Sequence, residues 1–137
     1  MKTKLLITVT LLLAGSLFFS ASAQDNIDAL IEKCKKLEGV EVVVSKYRSK
    51  KNPETKETTE INILNNKDIV AEFIAAFKKD SEMAESSSET ETNGVISNIY
   101  CKFGKDNIYT YSTFGKSMIT VSAYREGVML LVNIRTN

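Results

Sequence analysis

The chain contains no histidine and no tryptophan, and it has only one proline and two cysteines among its 137 residues. Because histidine is absent, the sequence excludes Ser-His-Asp and Cys-His catalysis, histidine-ligated zinc and imidazole pH switches. The hydrophobic content of 43% and the charged content of 26% are those of an ordinary globular domain. At this length the chain has room for one sizeable domain.

Residues 1–23 have the three parts of a signal peptide. Two lysines form a positive start, an apolar run follows, and Ala21-Ser22-Ala23 supplies the small residues that signal peptidase requires. The run is shorter than the roughly 20 apolar residues of a transmembrane anchor. Gln24, rather than the cysteine of a lipoprotein, comes next. We therefore predict export to the periplasm or the medium, with a mature domain of residues 24–137.

Removal of the signal changes the charge balance of the chain. The mature part has 16 basic and 17 acidic residues, which gives a net charge of −1. Without a basic surplus, we expect no nucleic-acid partner and no stable membrane insertion after signal cleavage.

Apolar residues recur at helical spacing in two segments. The first segment has one such stripe, formed by Ile27, Leu30, Ile31, Cys34 and Leu37. Asp25 or Asn26 is expected to cap this helix. The second helix is predicted over Lys67–Lys79, with Asn65 or Asn66 as its cap.

Strand signals dominate the rest of the chain, and glycines at spacings of 10–12 residues separate the last four strands. The predicted strands are Val40–Tyr47, Thr59–Leu64, Val95–Phe103, Asn107–Phe114, Ser117–Tyr124 and Val128–Arg135. The order α-β-β-α-β-β-β-β indicates an α+β fold. We expect a single antiparallel sheet of about six strands with both helices packed on one face.

The segment 80–93 differs in kind from its neighbours, since it has five acidic residues, no basic residue and the run Ser86-Ser87-Ser88. We predict an acidic flexible loop here. The alternative, a calcium loop, lacks the alternating ligands and central glycine of an EF-hand. We therefore expect no metal site and no cofactor.

Two groups of side chains are candidate functional residues. Cys34 and Cys101 both point into the predicted core, and export favours a disulfide between them over two buried free thiols. Tyr100 and Tyr124 point away from the core side of their strands. They indicate a surface that contacts a protein, peptide or glycan, or else cross-strand aromatic pairs that fix the register.

Several short runs resemble a group of small exported proteins from anaerobic gut bacteria that is classified as a domain of unknown function. These runs are Asn26-Ile27-Asp28-Ala29-Leu30, Leu37-Glu38-Gly39-Val40 with Cys34 before it, Asn52-Pro53-Glu54-Thr55-Lys56, and Phe73-Ile74-Ala75-Ala76-Phe77-Lys78-Lys79-Asp80. The resemblance implies export and small size, and it implies no activity and no catalytic residue.

The absence of catalytic constellations favours a non-enzymatic exported domain that binds a protein, peptide or glycan through its sheet. An envelope hydrolase that uses carboxylate residues is the alternative, and it requires a concave pocket lined by Asp or Glu of raised pKa. A third possibility is an inhibitor or stress protein that acts by edge-strand addition.

The signal peptide generates the first testable prediction. Protein recovered from the cell envelope or medium should begin at Gln24, because signal peptidase cleaves after the small residues that precede it. Intact-mass spectrometry measures this directly. A mass that retains residues 1–23 would contradict export by cleavage.

Overall fold

A computed structural model describes residues 25–48, 50–51 and 56–136 of the chain. The predicted signal peptide, residues 1–23, lies outside the described residues. The described part contains two helices and seven strands. In chain order they are α1 (Asp25–Lys35), β1 (Glu41–Tyr47), β2 (Lys56–Leu64), α2 (Lys67–Ser81), β3 (Ser86–Thr92), β4 (Val95–Phe103), β5 (Asn107–Phe114), β6 (Met118–Arg125) and β7 (Val128–Arg135).

All seven strands belong to one sheet, in the order β1-β2-β7-β6-β5-β4-β3. Strands β3 to β7 form a meander of antiparallel neighbours, and β1 pairs antiparallel with β2 as predicted. The pairing of β2 with β7, however, is parallel. The α+β class is confirmed, but the prediction of a purely antiparallel sheet is wrong because the sheet is mixed.

The extra strand explains the parallel pair. The predicted loop 80–93 is wrong in part, because Ser86–Thr92 forms the edge strand β3 and pairs with β4. The connection through α2 starts β3 in the same direction as β2. Each later strand of the meander then reverses direction, so the fifth, β7, runs parallel to β2. With only four strands after α2, β7 would have run antiparallel.

The inner face of the sheet carries both helices, as predicted. Asp28 of α1 accepts a hydrogen bond from Tyr109 of β5 and forms an ion pair with Arg125 of β6. Lys78 of α2 forms an ion pair with Glu89 of β3. A single buried cluster fills the space between the layers, and its largest members are Tyr109, Tyr111, Phe73, Phe77, Ile27, Ile31, Ile61, Ile69 and Ile134. The apolar stripes of both predicted helices lie in this core.

The two helices begin with different hydrogen-bond partners. For α2, the N-cap is Asn66, one of the two predicted candidates, and its side chain accepts a hydrogen bond from the Ile69 N–H at 3.1 Å. Asp25 and Asn26, the cap candidates predicted for α1, both lie within the bounds of that helix. Asp80 of α2 accepts hydrogen bonds from the Ile27 N–H at 2.8 Å and from Asn26 Nδ2 at 2.6 Å. A carboxylate distant in sequence therefore accepts hydrogen bonds from the first turn of α1.

Asp80 is 2% exposed, and its two bonds join the end of α2 to the start of α1. Replacing Asp80 with alanine should lower the free energy of unfolding by about 2–3 kcal/mol, because buried donors on α1 lose a charged acceptor. Glu82→Ala, an exposed neighbour, should change it by less than about 0.5 kcal/mol. Chemical denaturation of both variants measures the difference. Equal effects would contradict the capping role.

The stabilising effect of Asp80 should also depend on pH. Burial is the main cause that raises the pKa of Asp80 above its ordinary 3.8. The folded chain therefore binds the proton of Asp80 more tightly than the unfolded chain does. The contribution of this proton binding to the free energy of unfolding is complete below pH 3.8, and it is lost as the pH rises through the folded pKa. The stability difference between wild type and Asp80→Ala should thus be larger near pH 3.5 than at pH 7. A larger difference at pH 7 would contradict this sign.

Candidate functional site

The helices leave the second face of the sheet open, and we call it the outer face. Residues alternate between the two faces along each strand, so that on β6 Tyr124 is 39% exposed while Ala123 beside it is fully buried. Cys101 on β4 likewise faces the core, and Tyr100 faces outward and is half-buried. Both tyrosines predicted as candidate binding residues therefore lie on the outer face.

Tyr100 and Tyr124 belong to an apolar band that crosses four adjacent strands, β4 to β7. We define the apolar band as Tyr100, Ile108, Tyr124, Met129 and Leu131. In the sheet register Tyr124 lies opposite Ile108 on one side and Met129 on the other. Tyr100 and Leu131 occupy the next row, separated by the small hydroxyl side chains of two intervening strands. Tyr124 thus has an aliphatic register partner on each side, whereas Tyr100 lies between Ser88 and Thr110.

Aromatic pairing occurs on the inner face instead. Tyr109 makes an edge-to-face contact with Phe103 of the adjacent strand, with ring centroids 5.6 Å apart, and Tyr111 makes one with Phe77 of α2 at 6.2 Å. The cross-strand aromatic pairing that the sequence analysis considered is therefore found at Tyr109, whereas the contact of Tyr111 joins the sheet to α2, and both tyrosines are buried.

A row of polar side chains lies beside the apolar band. We define the polar row as Glu41, Asn62, Asn133, Thr120, Ser112 and Asn98, which are successive register partners from β1 to β4. Four side-chain hydrogen bonds of 2.9–3.2 Å join its members. One of them, from Asn133 Nδ2 to Asn62 Oδ1, crosses the parallel β2–β7 pair. These bonds hold the amide side chains in fixed orientations.

Charged side chains lie at opposite ends of the apolar band. Lys102 is the register partner of Ile108 on the β4 side, and Glu60 is the partner of Leu131 on the β2 side. The outer face therefore has an apolar centre between two charges of opposite sign, with the polar row along one flank.

Two carboxylates lie on the inner side, Asp80 buried and Asp28 partly buried, and both are held by partners within the chain. Asp28 accepts a hydrogen bond from the Tyr109 hydroxyl at 2.8 Å and lies 3.1 Å from an Arg125 nitrogen. Burial is the largest effect on its pKa and raises it, although these two partners act in the opposite direction. Asp80 has its raised pKa for the same reason. Neither carboxylate lines the four cavities of about 380–700 Å³ that described residues form.

Cys34 and Cys101 are both fully buried, as the pattern predicted, but both are free thiols in the structure. The predicted disulfide is therefore not formed there. The Cys101 thiol points toward the Phe77 carbonyl oxygen of α2, at 3.9 Å, and not toward α1. Burial raises the pKa of each thiol to about 11, so the reactive thiolate is scarce at neutral pH.

A groove of about 700 Å³, which the sequence analysis missed, lies between α2 and the sheet. We call it the end groove. Its apolar walls come from Val70 and Ile74 of α2, from Ile96 of β4, and from Met118 and Ile119 of β6. The turns before β4 and after β5 form its rim. Since three separate parts of the chain build it, no local pattern in the sequence indicates it.

The chain matches no protein family, and no curated protein and no solved structure is significantly similar to it. Within the described residues, no cluster of acidic or cysteine side chains is arranged to bind a metal ion. No helix in the same part of the chain is long and apolar enough to cross a membrane. The functional argument therefore depends on the outer face and the end groove.

The thiols provide a direct test of the inner face. In the native protein at pH 8, Cys34 and Cys101 should resist iodoacetamide for hours, because both are buried and their pKa of about 11 keeps them protonated. In denaturant both should react within minutes, which mass spectrometry detects as two added carbamidomethyl groups. Rapid labelling of the native protein would contradict the packing, and a mass lower by two hydrogens would show the disulfide.

Proposed function

We propose that this chain is an exported, non-enzymatic domain that binds a protein partner through the apolar band of its outer face. The observation that carries the proposal is the presence of two tyrosines on the outer face, with Tyr124 between the aliphatic side chains of Ile108 and Met129 and Tyr100 one row away. Tyrosine and methionine are enriched in protein interfaces, and charged residues are depleted at their centres.

The band has the layout of a protein-binding surface. Its centre contains no charged side chain, while Lys102 and Glu60 lie at its ends and the polar row lies along its flank. Apolar centres with polar rims are typical of protein interfaces, and buried tyrosines often supply most of their binding energy. The charges at the two ends have opposite signs, so a partner with the reverse order of charges would bind in one orientation.

The polar row lowers the entropic cost of binding. Because its amides and hydroxyls are already joined by hydrogen bonds, they lose little freedom when a partner covers them. The backbone below is a regular sheet, which keeps the outer face close to one shape in the free and the bound states.

The alternatives fit the site less well. A glycan would require hydrogen-bonding groups that are free to meet sugar hydroxyls, whereas most groups of the polar row bond to one another. A carboxylate hydrolase would require an acid and a base in a pocket. Asp28 and Asp80, the carboxylates of raised pKa, are both tied to other residues of the chain.

Photo-crosslinking tests the proposal in the cells that produce the protein. With p-benzoylphenylalanine in place of Tyr124, irradiation should give an adduct of one discrete mass whose added part is a protein. The same replacement of Met83 is the control, because that side chain is 72% exposed but lies between α2 and β3, outside the band. The adduct should form from the first position and not from the second.

Matched substitutions show whether the band itself makes the contact. Met129→Lys places a charge beside Tyr124, and it should reduce the yield of the adduct at least fivefold. Val128→Lys adds the same charge one residue away on the opposite side of β7, and it should leave the yield unchanged. An adduct of sugar alone would favour a glycan ligand and contradict the proposal. An adduct only from the Met83 position would indicate a partner that binds elsewhere on the domain, and no adduct at either position would also contradict the proposal.

A further inference from the structure

We propose that the end groove is a second binding site, which takes a small amphipathic molecule with an apolar chain and a single carboxylate. The site is independent of the apolar band, because it lies on the inner side of the sheet beneath α2. Three features of the groove support this assignment: its walls, a tyrosine hydroxyl and a single cation at its rim.

The walls of the groove suit an alkyl chain. Val70 and Ile74 of α2 line the cavity together with Ile96 and Ile119 of the sheet, and Met118, the first residue of β6, also contributes to its lining. The volume of about 700 Å³ lies within the range of small-molecule sites, which are mainly apolar with a few polar groups that orient the ligand. Ile74 and Ile96 are only partly buried, so apolar surface is left without a packing partner in the free protein.

Tyr111 supplies a hydroxyl at this groove. The residue is 1% exposed, and it lines the cavity while its ring is held by the edge-to-face contact with Phe77. Burial raises its pKa, and no hydrogen bond of its hydroxyl is found among the described residues. The hydroxyl oxygen is not fully enclosed, since Asn107 Oδ1 is the one fully buried polar side-chain atom without a partner in the described part of the chain. A neutral phenol that keeps this opening is a ready donor for an acceptor atom of a ligand.

Tyr109, two residues earlier on the same strand, shows what the usual arrangement looks like. Its side chain is equally buried, and its hydroxyl donates to Asp28 at 2.8 Å. The fold therefore provides a carboxylate for one of the two buried tyrosines of β5. For Tyr111, we infer that the ligand provides the carboxylate.

Lys116 determines the charge of the ligand. It follows Gly115 in the turn between β5 and β6, and it is the one charged residue that lines the groove. A cation at the rim of an apolar site attracts a carboxylate and repels an ammonium group. The head of the ligand is thus recognised by a hydroxyl donor and a positive charge, and its chain by the apolar walls.

Titration with decanoate, followed by methyl NMR spectra of the mature protein, tests the site. Saturable shifts should appear at Val70, Ile74 and Ile119, and decylamine, which has the same chain with the opposite charge, should bind at least tenfold more weakly. Tyr111→Phe removes only the hydroxyl and should weaken decanoate binding roughly tenfold, the effect of one hydrogen bond to a charged group. Lys116→Gln should weaken decanoate binding and remove the preference over decylamine.

Tyr109→Phe is the matched control, since it removes the hydroxyl of an equally buried tyrosine that does not line the groove. It should lower the stability of the protein but leave decanoate affinity within twofold of the wild type. The proposal would be overturned by the absence of saturable shifts, by shifts confined to the apolar band, or by equal weakening in the two tyrosine variants. Thermal melts of each variant show whether any loss of binding is a loss of fold.

Discussion

The parallel pairing of β2 with β7 is the constraint on which the rest of the structure depends. Seven residue pairs, from Thr58 with Met129 to Leu64 with Arg135, join the N-terminal hairpin to the C-terminal meander. The Asn65 N–H extends this ladder with a bond of 2.7 Å to the Arg135 carbonyl. Without these pairs, the β1–β2 hairpin and the meander of β3 to β7 would be two separate sheets. The pairs join them into one continuous sheet.

The continuous sheet gives the two faces different roles. On the inner face, two carboxylates connect the layers: the buried Asp80 joins the two helices to each other, and the partly buried Asp28 joins α1 to the sheet. An ionised carboxylate costs free energy to bury, and its hydrogen bonds offset that cost. Neither of the two described helices lies over the outer face, where the apolar band and the polar row are found.

Local patterns in the sequence predicted much of the fold. Both helices follow from their apolar stripes, and the bounds of β4, β5 and β7 match the predicted strands residue for residue. The edge strand β3 was missed because its side chains are polar and exposed, with no apolar alternation to reveal it. Its turn did carry a signal: Asn93 and Gly94 both have positive φ, of 54° and 76°, as a tight hairpin requires, and Asn-Gly is the typical sequence for it.

The functional surfaces were harder to predict than the elements. Alternation along single strands placed Tyr100 and Tyr124 on the outer face, but the rest of the apolar band depends on which strands are neighbours. That order follows from the missed strand and the parallel pair, and it is not local information. The same limit applies to the cysteines, since a shared core does not bring two thiols to bonding distance.

The central claim is that the outer face is covered when the protein is in its natural surroundings. Hydroxyl-radical footprinting of the producing cells and of the purified mature protein measures this directly, residue by residue. The account predicts that oxidation of Tyr124 and Met129 falls several-fold in the cells, while oxidation of Met83, an exposed residue after α2, stays the same. Equal oxidation of Tyr124 and Met129 in both samples would contradict it.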